Sequence, residues 1–264
     1  MTPPRCQSNA TSDSGGGAGI QADIKAFAAA GCHGMTAIVG VTAQNTLGIL
    51  ATYALPAWVI TAQLEAVYDD IGVDAAKTGA LLSAEIIVTV ADFLARHPTP
   101  LVVDPVLRAS TGAALLDPDA VEVLVGSLLP LATVVTPNLD EARVLAGTDG
   151  DRRMLAERIV ARGAHAVLIT GGAGEGSDLF FDGSEHLEIP VAWVEGTATH
   201  GTGCTHSATL AAELAKGRPL AEAAAHAAAV TAAAIEHGFT GIGDGPGPVA
   251  AGQASGASQR VRTR

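Results

Sequence analysis

Apolar and polar positions follow two periods along this chain. The runs Leu101-Val-Val, Thr133-Val-Val and Ala166-Val-Leu-Ile are β-branched or apolar throughout, and Gly or Pro follows each within a few residues. Unbroken apolar runs of this length predict strands covered on both faces, as in a parallel sheet. Between them, apolar residues recur at helical spacing over residues 57–70, 84–96, 154–162 and 220–237. This alternation predicts a single α/β domain: a mostly parallel central sheet, helices on both faces, and ligands beyond the carboxyl ends of the strands. Segments 178–183 and 186–195 read as a late hairpin, so the sheet is expected to end antiparallel. From Gly243 onward Gly, Pro, Ser and Gln dominate. The domain is therefore expected over residues 1–244, with a flexible tail over 245–264 that ends in Arg260, Arg262 and Arg264. No internal repeat interrupts the pattern.

Composition narrows the function classes. With 264 residues, 48% of them hydrophobic, the chain has enough apolar surface for one large core. A formal net charge of −12 disfavours nucleic acid and anionic membrane surfaces as partners. Three cysteines, Cys6, Cys32 and Cys204, without CxxC spacing suggest neither a disulfide framework nor a thiolate zinc site, and point to the cytoplasm. No apolar signal core opens the sequence and no apolar run reaches membrane-spanning length, so a soluble protein is expected.

Four segments carry candidate chemistry. His200-Gly-Thr-Gly-Cys-Thr-His runs directly into an apolar helix. Gly201 and Gly203 allow backbone N–H groups to converge, Thr202 or Thr205 can cap, and the helix start favours an anion. Cys204 would share that field, which favours its thiolate and makes it a candidate proton acceptor; the plain alternative is a buried cysteine behind a capped helix. Ser12-Asp-Ser-Gly-Gly-Gly-Ala-Gly precedes a second helix and lets the backbone approach a small ligand, with Asp23 facing inward. It is neither a P-loop nor a dinucleotide fingerprint. Asp104 ends a strand, and Asn138 and Glu141 open a helix three residues apart. Oxygens placed in this way suit Mg²⁺ and a nucleotide phosphate, although Asn138 can equally be a helix cap and Glu141 a partner of the helix dipole. His200 and His206 flank Cys204 and are expected to be structural or solvent-facing.

Together, Ser12 to Lys25, Val41-Thr-Ala-Gln-Asn-Thr46, Ala76-Lys-Thr-Gly79, Val103-Asp-Pro-Val106, Thr136-Pro-Asn-Leu-Asp-Glu-Ala142 and His200 to Thr205 resemble the hydroxymethylpyrimidine/phosphomethylpyrimidine kinases of thiamine biosynthesis, within the ribokinase superfamily. The likeness runs from about Ser12 to Gly247. It implies an ATP-dependent cytoplasmic kinase that phosphorylates the pyrimidine's primary alcohol and then the resulting ester. By position, Gln44 would read the aminopyrimidine, Asp23 and Gly19 would help hold it, and Cys204 would stand where sugar-kinase relatives place an aspartate base. Gly201, Thr202 and Gly203 would form the anion hole, Asn138 would organise phosphates, and Asp104 and Glu141 would organise Mg²⁺. A homodimer is implied as well.

Four departures from the family pattern stand out. The first strand reads Cys6-Gln-Ser-Asn-Ala-Thr11, polar where the family is apolar, so a strand there is not expected with the same security. Thr170 replaces a phosphate-binding lysine before Gly171-Gly172. Ala80 replaces a methionine and would enlarge the ring pocket, and Gly243-Asp-Gly-Pro246 replaces a Gly-His-Gly-Pro. They leave three alternatives: a pyridoxal or pyridoxine kinase on the same scaffold, a small-molecule binder that has lost catalysis, and a Cys/His hydrolase built on Cys204 and His200.

Overall fold

The computed structural model describes residues 2–109, 111–171, 176–192, 194, 196 and 198–252. Its strands are β1 (Arg5–Asp13), β2 (His33–Gln44), β3 (Ile49–Ala54), β4 (Ala75–Thr78), β5 (Leu101–Val103), β6 (Val134–Val135), β7 (Val167–Ile169), β8 (Ser177–Phe181) and β9 (His186–Pro190). Its helices are α1 (Gly19–Ala29), α2 (Ala57–Asp70), α3 (Ala84–Arg96), α4 (Val121–Ser127), α5 (Leu139–Ala146), α6 (Arg152–Ala161), α7 (Thr202–Ala215) and α8 (Leu220–Glu236).

One sheet joins the strands in the order β3-β2-β1-β4-β5-β6-β7-β8-β9. The body from β2 to β7 is parallel, while β3, β8 and β9 pair antiparallel at the two ends. Alternation along each strand divides the core. Val103, Val135, Val167 and Ile169 join the apolar residues of α2 to α6, whereas Val102, Val134 and Leu168 join those of α1, α7 and α8. The chain leaves β1 toward β2 on one side and reaches β4 on the other. Strand order therefore reverses at β1, and the crevice beyond the carboxyl ends of β1 and β4 is where such sheets bind ligands.

Two expectations are corrected. The polar first segment forms β1, a nine-residue strand in the parallel body, with Gln7, Ser8 and Asn9 fully buried. Only Ser8 is matched from neighbouring elements: it donates to Asp23 Oδ2 of α1 at 2.5 Å, and Asp23 Oδ1 accepts from Lys77 Nζ of β4 at 3.0 Å, whereas the Gln7 and Asn9 side chains have no hydrogen-bond partner among the described residues. The flexible tail does not begin at 245. Val249, Ala250 and Ala251 are buried; Val249 N–H donates to the His200 carbonyl and Ala250 N–H to that of Ala234. Apolar rhythm fails here because the segment is held by single backbone bonds rather than by an amphipathic element. The rest of the expected tail, residues 253–264, lies outside the described residues, as do Gly172 and Glu195.

Lys77 is completely buried, within 3.0 Å of Asp23 and 3.7 Å of Asp104. Burial opposes its charge, but Asp23 and then Cys204 and Asp104 hold the ammonium above the usual lysine range. Removing one partner of such a group strands the others without solvent. Lys77→Met should therefore lower the unfolding free energy by about 3 to 5 kcal/mol, measured by urea denaturation followed by circular dichroism; a loss below about 1 kcal/mol would show that the carboxylates are not dependent on it.

Candidate active site

The carboxyl ends of β1, β4, β5, β6 and β7 open into one cleft of about 1450 Å³. That exceeds the range of about 300 to 1000 Å³ usual for a single small ligand and leaves room for two. In strand order the lining runs from Thr11, Asp13, Thr42 and Gln44 of β1 and β2, past Ala80 and Asp104 beyond β4 and β5, to Asn138, Glu141 and Thr170 beyond β6 and β7 and Asp178 of β8. Gly19, Gly203, Cys204 and the apolar Val191, Ala228 and Ile235 line it as well.

Asp13, which caps the cleft end of β1, organises the first side. Its Oδ1 accepts from Gly15 N–H at 2.7 Å, and its Oδ2 from Gly17 N–H at 3.1 Å, Ala18 N–H at 2.9 Å and His200 Nε2 at 3.0 Å. Burial opposes the Asp13 charge, yet His200 and the loop N–H groups hold the carboxyl below its usual range. The glycine loop lies so close to the start of α7 that a Cβ on Gly17 would meet the His200 ring, and one on Gly201, at φ +85°, would meet the Gly17 carbonyl. Glycine is required at both crossings. Gln44 arrives at the end of β2, where pairing with β3 slips by one residue between Ala43 and Gln44, a bulge that turns the side chain to the cleft.

The structure brings Gly19, Gln44, Asp104, Asn138, Glu141, Gly201, Thr202, Gly203 and Cys204 to one cleft, and leaves Asp23 out. Asp23 is fully buried beneath the floor and spent on Ser8 and Lys77, so the expectation that it touches substrate is corrected. The capping expectation is corrected too. Gly201 is the N-cap of α7 with no side-chain bond, Thr202 Oγ1 donates to the Thr199 carbonyl, and Thr205 is buried. Nor do the two histidines face solvent: both are buried and line the cleft, His206 within 3.8 Å of Asp178 Oδ2.

Cys204 sits at the α7 start as foreseen, but its protonation is the reverse of the expectation. Burial pushes its thiol up to about 12, against the pull of Lys77 and a Gly19 N–H, with Asp23 and Asp104 adding to the rise. Desolvation outweighs the helix dipole because two carboxylates share its surroundings. Asn138 and Glu141 form a reciprocal cap: Glu141 N–H donates to Asn138 Oδ1 at 2.9 Å and Asn138 N–H to Glu141 Oε2 at 3.0 Å. Glu141 is nevertheless raised to about 7 by burial and then by Asp104. Asp104 Oδ2 accepts from Ser207 Oγ at 2.9 Å.

The fit to a divalent cation follows from this donor set. Two carboxylates line one cleft, and Asp104 adds to the cost of ionising Glu141, a repulsion that a cation relieves. Among the described residues no group of three or more His, Cys, Asp or Glu could hold a metal. That suits Mg²⁺, which keeps several waters and is completed by substrate phosphates rather than by a protein cage.

Asp13 and Thr42 line the cleft and Lys77 lies buried beneath it, yet sequence reasoning named none of the three, and it set aside His200, which lines the cleft too. Asp13 could have been found as the acidic residue at the head of a loop with unpaired N–H groups. Lys77 is a lysine in an otherwise apolar strand, which is rare unless paired.

A crevice at the switch point, a helix start that lines it and an acidic pair at the strand ends define an α/β kinase of small molecules with the ribokinase-like fold. The chain belongs to the phosphomethylpyrimidine kinase family, whose model matches residues 13–250. It is 49% identical to the hydroxymethylpyrimidine/phosphomethylpyrimidine kinase of Rhizobium meliloti over 91% of this chain and 94% of that one. It is 46% identical to the enzyme of the same name from Streptomyces coelicolor over 97% of both. The pyridoxal kinase of Staphylococcus aureus in complex with pyridoxal superposes with a TM-score of 0.86 at 34% identity, covering 96% of this chain and 94% of that one. No helix among the described residues is long and apolar enough to cross a membrane.

A thiol raised to about 12 holds roughly a thousandth of the thiolate that an ordinary cysteine holds at pH 8. Iodoacetamide should accordingly alkylate Cys204 of the ligand-free protein at least about tenfold more slowly than a free thiol at pH 8, as followed by peptide mass spectrometry. Labelling at the free-thiol rate would show a thiolate.

Proposed function

We propose that this kinase transfers the terminal phosphoryl group of ATP to the hydroxymethyl oxygen of 4-amino-5-hydroxymethyl-2-methylpyrimidine, and then to the resulting monophosphate, giving the diphosphate used in thiamine biosynthesis. The observation that carries the reading is the single cleft that Gln44, Cys204, the α7 start, Asp104 and Glu141 all line.

Gln44 offers a donor and an acceptor to the aminopyrimidine edge, with Gly19 and Ala80 against the ring. The hydroxymethyl group then meets Cys204, whose minor thiolate form accepts its proton in the first transfer. The N–H groups of Gly201, Thr202 and Gly203 hold the negative charge of the phosphoryl group in flight. Asn138 stands on the phosphate side, and the apolar stretch around Val191, Ala228 and Ile235 takes the adenine. With Thr170 in the position of a lysine, Arg108 is the one lysine or arginine lining the cleft among the described residues, and we assign it to the nucleotide phosphates. Asp104 and Glu141 are the residues that would hold Mg²⁺, which when bound neutralises phosphate charge. Transfer of this kind needs positioning and charge neutralisation more than covalent chemistry.

The related scaffold of the pyridoxal kinases, and the space left by Ala80 against a pyridine ring, support pyridoxal as a second substrate. We further propose a homodimer formed through the outer face of β3, where Leu50 and Tyr53 are 80% and 63% exposed beside Leu47. A cytoplasmic location suits the three free cysteines.

Gln44→Leu should weaken binding of the aminopyrimidine by about 1 to 3 kcal/mol, the scale of an unsatisfied buried polar group; unchanged calorimetric affinity would remove Gln44 from the ring site.

Glu141→Gln keeps the helix cap but removes a charge. It should raise the Mg²⁺ concentration for half-maximal rate while sparing pyrimidine affinity, and an unaltered metal titration would count against the assignment.

The alcohol must lose a proton in the first transfer, whereas the phosphate ester in the second is already ionised near neutral pH. Cys204→Ala should slow the first transfer by about 10² to 10⁴ and the second much less. With the thiol at about 12, the wild-type rate of the first transfer should also rise with pH from 6 to 9 as the thiolate fraction grows. Equal losses on both substrates, read from ADP release, would make Cys204 a structural residue.

A further inference from the structure

The polar groups around Gln44 contain a conflict that only one arrangement resolves. Asp13 accepts three backbone N–H groups and so acts as a carboxylate with no hydrogen to give. His200 Nε2, 3.0 Å from Asp13 Oδ2, must therefore carry the hydrogen of that bond. One end of the Gln44 amide lies 3.4 Å from the same Nε2 and the other 3.0 Å from Thr42 Oγ1, which itself lies 3.2 Å from the Ser12 carbonyl. With the amide nitrogen toward His200, two N–H groups would face each other. Thr42, which has one hydroxyl hydrogen, would also be asked to serve both Ser12 and Gln44. A half-turn of the amide about χ3 relieves Thr42 of its double duty and replaces the facing N–H groups with one His200 N–H shared between Asp13 Oδ2 at 3.0 Å and the Gln44 carbonyl at 3.4 Å. Gln44 Oε1 then accepts the longer branch of that shared bond, while Thr42 gives its hydrogen to Ser12 and accepts one from Gln44 Nε2.

We propose that the Asp13–His200 pair locks the Gln44 amide with its carbonyl toward His200, and that this lock selects a 4-aminopyrimidine over its 4-oxo counterpart. The inference rests on the ring-reading role proposed for Gln44. After its bonds to His200 and Thr42, the amide keeps one lone pair on Oε1 and one hydrogen on Nε2. These match an exocyclic amine beside a ring nitrogen. The 4-oxo ring presents the reverse, a carbonyl beside a ring N–H. Meeting it would require the amide to turn and lose both internal bonds. His200 is thus a positioning residue: buried, anchored by its N–H on the Gly247 carbonyl, and acting through Gln44.

The test compares kcat/KM for the 4-amino and 4-oxo forms of 5-hydroxymethyl-2-methylpyrimidine in the wild type, His200→Leu and His200→Gln, with folding checked by thermal melting. The wild type should favour the amino ring by about 100-fold or more, since a site built to pair polar groups rejects the unpaired analogue strongly. His200→Leu should cut that ratio by about tenfold or more, mainly through a higher KM for the amino ring, and His200→Gln, which restores a donor to Gln44, should recover most of it. An undiminished ratio in a folded His200→Leu protein overturns the lock. If Gln44→Leu also leaves amino-ring affinity unchanged, the ring-reading role itself fails; if Gln44→Leu loses affinity, only the lock does. A wild-type crystal structure with the aminopyrimidine gives an answer independent of any variant. The exocyclic amine should lie on the His200 side of Gln44 and the ring nitrogen on the Thr42 side, and the opposite order overturns the proposal.

Discussion

The carboxylate of Asp13 is the constraint on which the cleft depends. A loop of three successive glycines has no side chains with which to hold a shape, and its N–H groups would otherwise point at solvent. One buried carboxylate gathers three of them and adds His200 from nearly two hundred residues away. The loop is thereby fixed against the start of α7, close enough that Gly17 and Gly201 each exclude any larger residue. The glycine loop and the start of α7, which belong to different ends of the chain, become one rigid piece.

Beneath that piece a second polar cluster sets the electrostatics. Lys77, Asp23 and Asp104 share the space under Cys204, and their balance decides how readily the thiol ionises. Asp104 belongs to both the floor and the cleft, so the charge that the floor stores is felt at the cleft wall. The acidic chain brings little positive charge to that cleft, where Arg108 stands alone among the lining lysines and arginines of the described residues. Backbone dipoles and a cation carry the remainder.

The apolar strands were legible because burial on both faces writes itself as an unbroken β-branched run. The helices over 57–70 and 84–96 were legible because their faces repeat at helical spacing, and both were found at those bounds. β1 was obscured for the same reason inverted: its partners are polar, and which polar residues meet across a sheet is decided by topology. The strand-end carboxylates could be named from local motifs and Gln44 only from the family resemblance, and all of them line the cleft. Asp23 was misplaced because an inward-facing acid looks the same whether it meets a ligand or a buried lysine. The state of Cys204 was misread because a helix start is visible in sequence, whereas the burial that overrules it is not. Pro248 to Ala251 looked like tail because segments held by isolated backbone bonds leave no periodic trace.

The outer strand β3 carries a consequence of its own. Ile49-Leu-Ala-Thr-Tyr-Ala54 contains no charge and no proline, the usual guards of a sheet margin, and its outward side has backbone groups that no strand of the sheet pairs. A row of that composition invites any other extended segment to add to it, including its own copies in an irregular stack. A partner seated over β3 would therefore act first as a shield: the advantage of association lies less in the affinity gained than in the colloidal fate avoided.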